Sequence, residues 1–160
     1  MADLLCPDDD LCARIVAEAR SWIGTPYRHQ ASTKGAGCDC LGLVRGVWRA
    51  IYGAEPETLP PYSADWAETG GRETLLEAGR RWLIERPIEN MRSDDTVAGD
   101  ILVFRWKDEM PAKHAGIVSE SGQIIHSYDR VGVVETPLVP AWKRRIAARF
   151  AFPGGATWQR

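Results

Sequence analysis

Two cysteines one residue apart, Cys38 and Cys40, and two histidines, His114 and His126, are the side chains of this sequence best suited to covalent chemistry. A thiolate is a strong nucleophile, and an imidazole can take its proton and later return it. In Gly37-Cys38-Asp39-Cys40-Leu41-Gly42-Leu43-Val44 the local pattern says where such a thiol would sit. Leu43, Val44, Val47, Trp48 and Ile51 recur at a helical period, while Gly35 and Gly37 interrupt regular structure upstream. The spacing predicts a helix that begins at Cys40 with Asp39 as its N-cap. Free N–H groups and a partial positive charge at a helix start favour an anion, so Cys40 is expected to carry a lowered pKa. Cys38, ahead of the cap, gains little of this. It reads as a small residue packed beneath the site, or as a partner for Cys40 under oxidation. A lone cysteine would read as a small buried hydrophobe; these cysteines have histidines to work with.

Ser119-Glu120-Ser121-Gly122 is a turn signal between two apolar runs, which predicts a β-hairpin from His114 to Ser127. In an antiparallel hairpin the numbers of paired residues have a constant sum. A three-residue loop at Ser119 to Ser121, or a five-residue loop at Val118 to Gly122, makes that sum 240 and sets His114 directly opposite His126. A loop of two or four residues makes the sum odd and breaks this pairing.

The elements that must position these groups fall into two blocks. Asp8, Asp9 and Asp10 precede a helical face of Leu11, Cys12, Ile15, Val16, Ala19 and Trp22, which should stop near Gly24-Thr25-Pro26. A polar loop from Tyr27 to Gly37 leads into the Cys40 helix. The stretch 54–98 is less periodic and rich in proline and glycine, with a helical segment from Thr74 to Ile84; it reads as a surface elaboration. From Gly99 the pattern turns to short β-like runs at Asp100 to Arg105, His114 to Ser119, Gln123 to Ser127, Val131 to Glu135 and Ile146 to Phe152. Helices first and strands after predict an α+β domain spanning 1–160, with N-terminal helices packed on a mostly antiparallel sheet.

The 160 residues suffice for one domain with its own core. A hydrophobic share of 44% with 26% charged residues describes an ordinary globule and excludes disorder. A net charge of −2 gives no footprint for nucleic acid, and Lys143-Arg144-Arg145 reads as a solvated face. No run approaches the roughly 20 apolar residues of a membrane span. The first ten residues lack the basic and apolar regions of a secretory signal, so synthesis and folding are expected in the cytosol. Cys6, Cys12, Cys38 and Cys40 do not resemble a disulfide framework, which points to a reducing compartment with Cys12 in the core.

Four motifs in order, Gly24-Thr25-Pro26-Tyr27, Cys38 to Val44, Gly99-Asp100-Ile101-Leu102-Val103-Phe104, and His114-Ala115-Gly116-Ile117-Val118 with Ile125-His126, resemble the NlpC-type cell-wall cysteine peptidases. The resemblance runs through most of the chain. It is strongest to the cell-wall peptidases of phage tails and phage-like gene transfer particles. It implies a papain-like fold, Cys40 as nucleophile, His114 as general base, His126 as the residue that orients the base, and Tyr27 beside the nucleophile. Asp39 and Leu41 would flank the substrate and the oxyanion donors. No cofactor or metal is implied. The substrate would be peptidoglycan, cut in its stem peptide, commonly between D-glutamate, through its γ-carboxyl, and diaminopimelate. The chain would reach it as part of a phage-like particle tail, in contact with tail or baseplate proteins. Leu41 stands where many members have serine, and the loop from Tyr27 to Cys40 is slightly longer than usual and brings His29 and Lys34. Two other readings compete with an enzyme. One is a dormant tail component of the same fold; the other is a zinc module using Cys38, Cys40 and two histidines, although paired zinc cysteines usually have two to four residues between them.

Overall fold

The computed structural model describes residues 8–58, 72–89, 91, 95–120 and 122–154. Helix α1 (Asp9–Ser21) is capped by Asp8, whose carboxylate accepts from the Leu11 N–H at 3.0 Å, and carries Asp9 and Asp10 in its first turn. A two-stranded ribbon, β1 (Ser32–Thr33) and β2 (Gly37–Cys38), leads directly into α2 (Cys40–Tyr52). Then follow α3 (Thr74–Trp82), β3 (Ile84–Arg86), β4 (Ile101–Phe104), β5 (His114–Glu120), β6 (Gln123–Tyr128), β7 (Gly132–Pro137), the short α4 (Pro140–Lys143) and β8 (Ile146–Ala151). The larger sheet has the order β3-β8-β4-β5-β6-β7 with every pair antiparallel. This is the expected α+β arrangement.

Alternation along the strands separates two apolar layers. Ile101, Val103, Ala115, Ile117, Ile125, Val133 and Phe150 meet the helices through Leu11, Ile15, Leu43, Val47, Trp48 and Leu76. Leu102, Phe104, Val118, Ile124 and Leu138 form a smaller cluster on the other face, covered by Trp142 and Ile146. Two-sided burial explains why β4 and β5 read as nearly continuous apolar runs. The helix expected to reach Ile84 stops at Trp82, because residues 84–86 instead pair with β8. Of the 54–98 elaboration, residues 59–71, 90 and 92–94 lie outside the described residues.

Cys12 departs from expectation. It is half-buried at the start of α1, beside the inward stripe of Leu11, Ile15 and Ala19, and it is disulfide-bonded to a partner outside the described residues. Cys12, expected in the core, is thus half-buried and disulfide-bonded rather than a fully buried free thiol. Cys38 and Cys40 are free. No helix among the described residues is long and apolar enough to cross a membrane.

Helices α1 and α2 cross where Gly46 faces the ring of Trp22: a Cβ at Gly46 would lie 2.1 Å from Trp22 Cζ2. Trp22 is itself held by a 3.0 Å bond from Nε1 to Glu18. Gly46→Ala is expected to overpack this crossing by about 1–3 kcal/mol and to lower the thermal midpoint by several degrees. An unchanged midpoint in calorimetry would show that α1 is not pinned there.

Candidate active site

The site begins at Asp39. Its backbone is extended (φ −93°, ψ −174°), and one carboxylate oxygen accepts from the Gly42 N–H at 2.7 Å, which makes Asp39 the N-cap and Cys40 the first residue of α2. The other oxygen accepts from the Gln30 N–H, also at 2.7 Å. Gln30 takes a left-handed backbone (φ 64°), so the carboxylate holds a strained loop residue in place. The loop packs so closely on the helix start that a Cβ at Gly42 would lie 1.9 Å from the Ala31 carbonyl oxygen. Ser32 Oγ donates to the Gly42 carbonyl at 2.6 Å, and Arg49 donates to both Ser32 oxygens. Loop 27–37 and the first turn of α2 are thereby one unit.

Cys40 opens onto a cleft of about 460 Å³ that is also lined by Tyr27, Leu41, Trp106, Lys113, His114 and Tyr128. Its sulfur lies 3.8 Å from the Lys113 carbonyl, at the entry to β5. Backbone N–H groups of Ala115, Leu41 and Cys40 favour the thiolate, yet burial, with the Asp39 charge behind it, pushes the Cys40 thiol up to about 12. The expected lowering at the helix start is therefore not realised: loss of water and the anionic cap outweigh the dipole. Cys38 is wholly buried in β2, and burial raises its thiol to about 11. Ser127 Oγ donates to the Cys38 carbonyl at 2.7 Å and anchors the strand just ahead of Cys40. Tyr27 bridges to Cys38, and burial together with the Cys40 and Asp39 charges raises its phenol to about 12.

His114 lines the cleft, and His126 stands behind it, with His114 Nε2 2.9 Å from His126 Nδ1. The register that joins them differs from the expected one. Ile117 faces Ile125, Val118 faces Ile124, and Glu120 faces Gln123 after a shift between Val118 and Glu120. The tip is thus a two-residue loop, and a bulge at Ser119 restores an even register, with paired numbers summing to 242 rather than 240. The histidines are diagonal rather than directly opposite, still on one face, and their rings lean together. Burial, then His126, lowers His114 to about 3, and burial lowers His126 to about 4. Both imidazoles and the thiol are neutral at rest.

Sequence reasoning missed the aromatic enclosure of this pair. The Trp106 ring stacks on His114 at 5.7 Å, and Trp142 of α4 lies 5.5 Å from His114 and 5.2 Å from His126. Nothing in the sequence near Trp142 marks it, since α4 is a single turn. His29 sits at the cleft rim, 3.9 Å from Asp39, whereas Lys34 pairs with Glu18 at 2.7 Å and belongs to the packing of loop on α1. Leu41 is shared between the cleft and a neighbouring apolar cavity lined by Val44, Trp48, Leu75 and Phe150. Among the described residues no three His, Cys, Asp or Glu side chains converge as metal ligands.

A thiol at a helix start and an imidazole at the start of β5 line one cleft, with a second imidazole in contact behind the first. The NlpC/P60 family matches residues 24–149, and the chain belongs to that family. It is 28% identical over 121 residues to the probable endopeptidase NlpC of Escherichia coli, covering 76% of this chain and 64% of that protein. It is 27% identical over 113 residues to the gamma-DL-glutamyl hydrolase of Bacillus subtilis, covering 71% of this chain and 22% of that protein. The chain thus spans less than two thirds of either relative. Among solved structures, the NlpC/p60 domain of the peptidoglycan hydrolase SagA has a TM-score of 0.54 at 24% identity, covering 89% of this chain and 98% of that one. A Staphylococcus aureus protein of the NLP/P60 family has a TM-score of 0.58 at 20% identity, covering 92% and 43%. These likenesses establish the papain-like fold.

The neutral site sets a pH dependence of stability. Unfolded histidines titrate near ~6.5, whereas His114 and His126 do so at about 3 and about 4 in the fold. Between those values the unfolded chain binds more protons, so stability is lost as pH falls below ~6.5. Cys38 and Cys40 act oppositely: above ~8.5 the unfolded thiols ionise while the folded ones stay protonated. Thermal denaturation should therefore plateau between these limits, and His126→Asn should shallow the acid limb. A midpoint that rises on acidification from pH 7 to pH 5 would contradict the neutral pair.

Proposed function

We propose that this chain is a cysteine endopeptidase that hydrolyses peptide bonds of the peptidoglycan stem, with the bond from the γ-carboxyl of D-glutamate to diaminopimelate as its target. The observation that carries this reading is the 2.9 Å contact between His114 Nε2 and His126 Nδ1 at the cleft that Cys40 shares. Membership of the NlpC/P60 family and the names of the two curated relatives, an endopeptidase and a γ-glutamyl hydrolase, support it. Lys113 and Arg130 at the cleft suit a substrate rich in carboxylates.

With Nε2 engaged by His126, the nitrogen of His114 left for the thiol is Nδ1. Substrate displaces water, and the Cys40 proton passes to His114 as the sulfur attacks the scissile carbonyl. N–H groups at the start of α2 stabilise the oxyanion, each such donor being worth roughly 3 kcal/mol. His114 then protonates the leaving amine, and a thioester remains on Cys40. Water, deprotonated by His114, attacks the thioester; the acid product leaves and the thiol regains its proton. His126 orients His114 and shares the charge that forms on it. Tyr27, Asp39 and Leu41 border the substrate, Leu41 presenting an apolar surface where a hydroxyl is common in the family.

The proposal extends to context: the chain reaches the wall as a component of a phage-like tail, with the 54–98 elaboration available for contact with neighbouring tail or baseplate proteins. Incubation with defined muropeptides, followed by mass spectrometry, should give cleavage that Cys40→Ala abolishes. His114→Ala should lower the rate by roughly 10²- to 10⁴-fold, and His126→Asn should retain part of it because an amide still orients an imidazole. Cleavage surviving Cys40→Ala would remove the proposal, and equal losses at the two histidines would reassign their roles. Proteomics of purified particles should find the protein in tails; particles free of it would refute the tail context.

A further inference from the structure

The chain of contacts does not end at His126. Its Nε2 lies 3.0 Å from the Thr136 hydroxyl on β7. The β6–β7 register sets Val134 opposite His126 and Thr136 opposite Ile124, so the threonine is one diagonal step along the same face. His126 is 3% exposed, and both of its ring nitrogens are engaged, Nδ1 by His114 and Nε2 by Thr136. A buried ring with two partners has its proton placed by them.

Counting protons gives the direction. When His114 has accepted the thiol proton, both of its nitrogens carry hydrogen, and Nε2–H can only donate to a bare His126 Nδ1. Neutral His126 must then hold its own proton on Nε2, and that buried N–H needs an acceptor. The Thr136 oxygen is within reach, and a hydroxyl can accept as well as donate. The reverse arrangement, with Thr136 donating to Nε2 and His126 donating from Nδ1, would leave the His114 proton on Nδ1. No lone pair would then face the thiol.

We propose that Thr136 is a positioning residue: by accepting from His126 Nε2–H it holds both imidazoles in the Nε2–H form, in which His114 Nδ1 can take the Cys40 proton. This rests on the Cys40–His114–His126 reading above, and it makes the site a four-membered relay whose last member is a strand threonine. Removal of the hydroxyl leaves the imidazolium state without its terminal acceptor, whereas the contact geometry of the two rings stays available.

The test compares wild type, Thr136→Val, which keeps the side-chain shape, and Thr136→Ser, which keeps the hydroxyl but loses the methyl. In protein labelled with ¹⁵N-histidine, long-range proton–nitrogen spectra at pH 7.5 should show wild-type His114 and His126 both protonated at Nε2. Thr136→Val should mix the tautomers of His126; Thr136→Ser should match wild type. On muropeptides, kcat/KM should fall roughly ten- to a hundredfold in Thr136→Val and stay within a few-fold in Thr136→Ser, with circular dichroism unchanged in both. Protonation of wild-type His126 at Nδ1, or unaltered tautomers and rate in Thr136→Val, would overturn the assignment. So would equal losses in the valine and serine variants, which would mark a packing role. If wild type cleaves no muropeptide while the tautomers behave as stated, the peptidase reading falls and the role of Thr136 stands.

Discussion

The Asp39 carboxylate is shared between two backbone N–H groups that belong to different parts of the chain, Gln30 in the loop and Gly42 in the first turn of α2. Each bond is charge-assisted, and the residue is 3% exposed, so neither is easily exchanged for water. An N-cap alone is worth about 0.5–2 kcal/mol; this one also ties down the left-handed residue Gln30. Gly42 completes the joint, because any side chain there would displace the Ala31 carbonyl. The start of the Cys40 helix and the loop before it are joined through that one carboxylate.

The same arrangement sets the resting chemistry. A buried anion next to Cys40 opposes ionisation of the thiol, and the aromatic enclosure of Trp106 and Trp142 opposes protonation of the imidazoles. Thiolate and imidazolium are each costly alone; formed together they stabilise one another, since opposite charges in a dry site attract strongly. A free site of this kind stays neutral.

Much of this was legible in the sequence where the cause is local. The helix start at Cys40 and the Asp39 cap follow from glycine interruption and apolar period, and the main strands follow from runs of branched residues. Elements that exist only through a partner were not legible: β3 forms because β8 offers an edge, and α4 is a single turn. The hairpin register was read two units short because a bulge at Ser119 has no sequence mark, yet the same face was kept, since one extra residue offsets the odd loop. The direction of the Cys40 shift was misread for a physical reason. A helix dipole is visible in a local pattern, whereas desolvation depends on what β5 brings from more than seventy residues away. Thr136 looks like any β-branched strand residue, and only the structure shows its hydroxyl at His126.

The claim on which the account turns is that the Cys40 sulfur attacks and carries the acyl group while His114 handles the proton. Rapid-quench intact-mass spectrometry during turnover of a muropeptide tests this directly, with the adduct mapped by proteolysis under acidic conditions that preserve thioesters. The account requires a transient adduct of the acyl fragment on Cys40 that forms and decays at rates matching product release. An adduct on Cys38 or on any other residue would contradict it, as would product formation with no adduct when a variant slowed at deacylation is used.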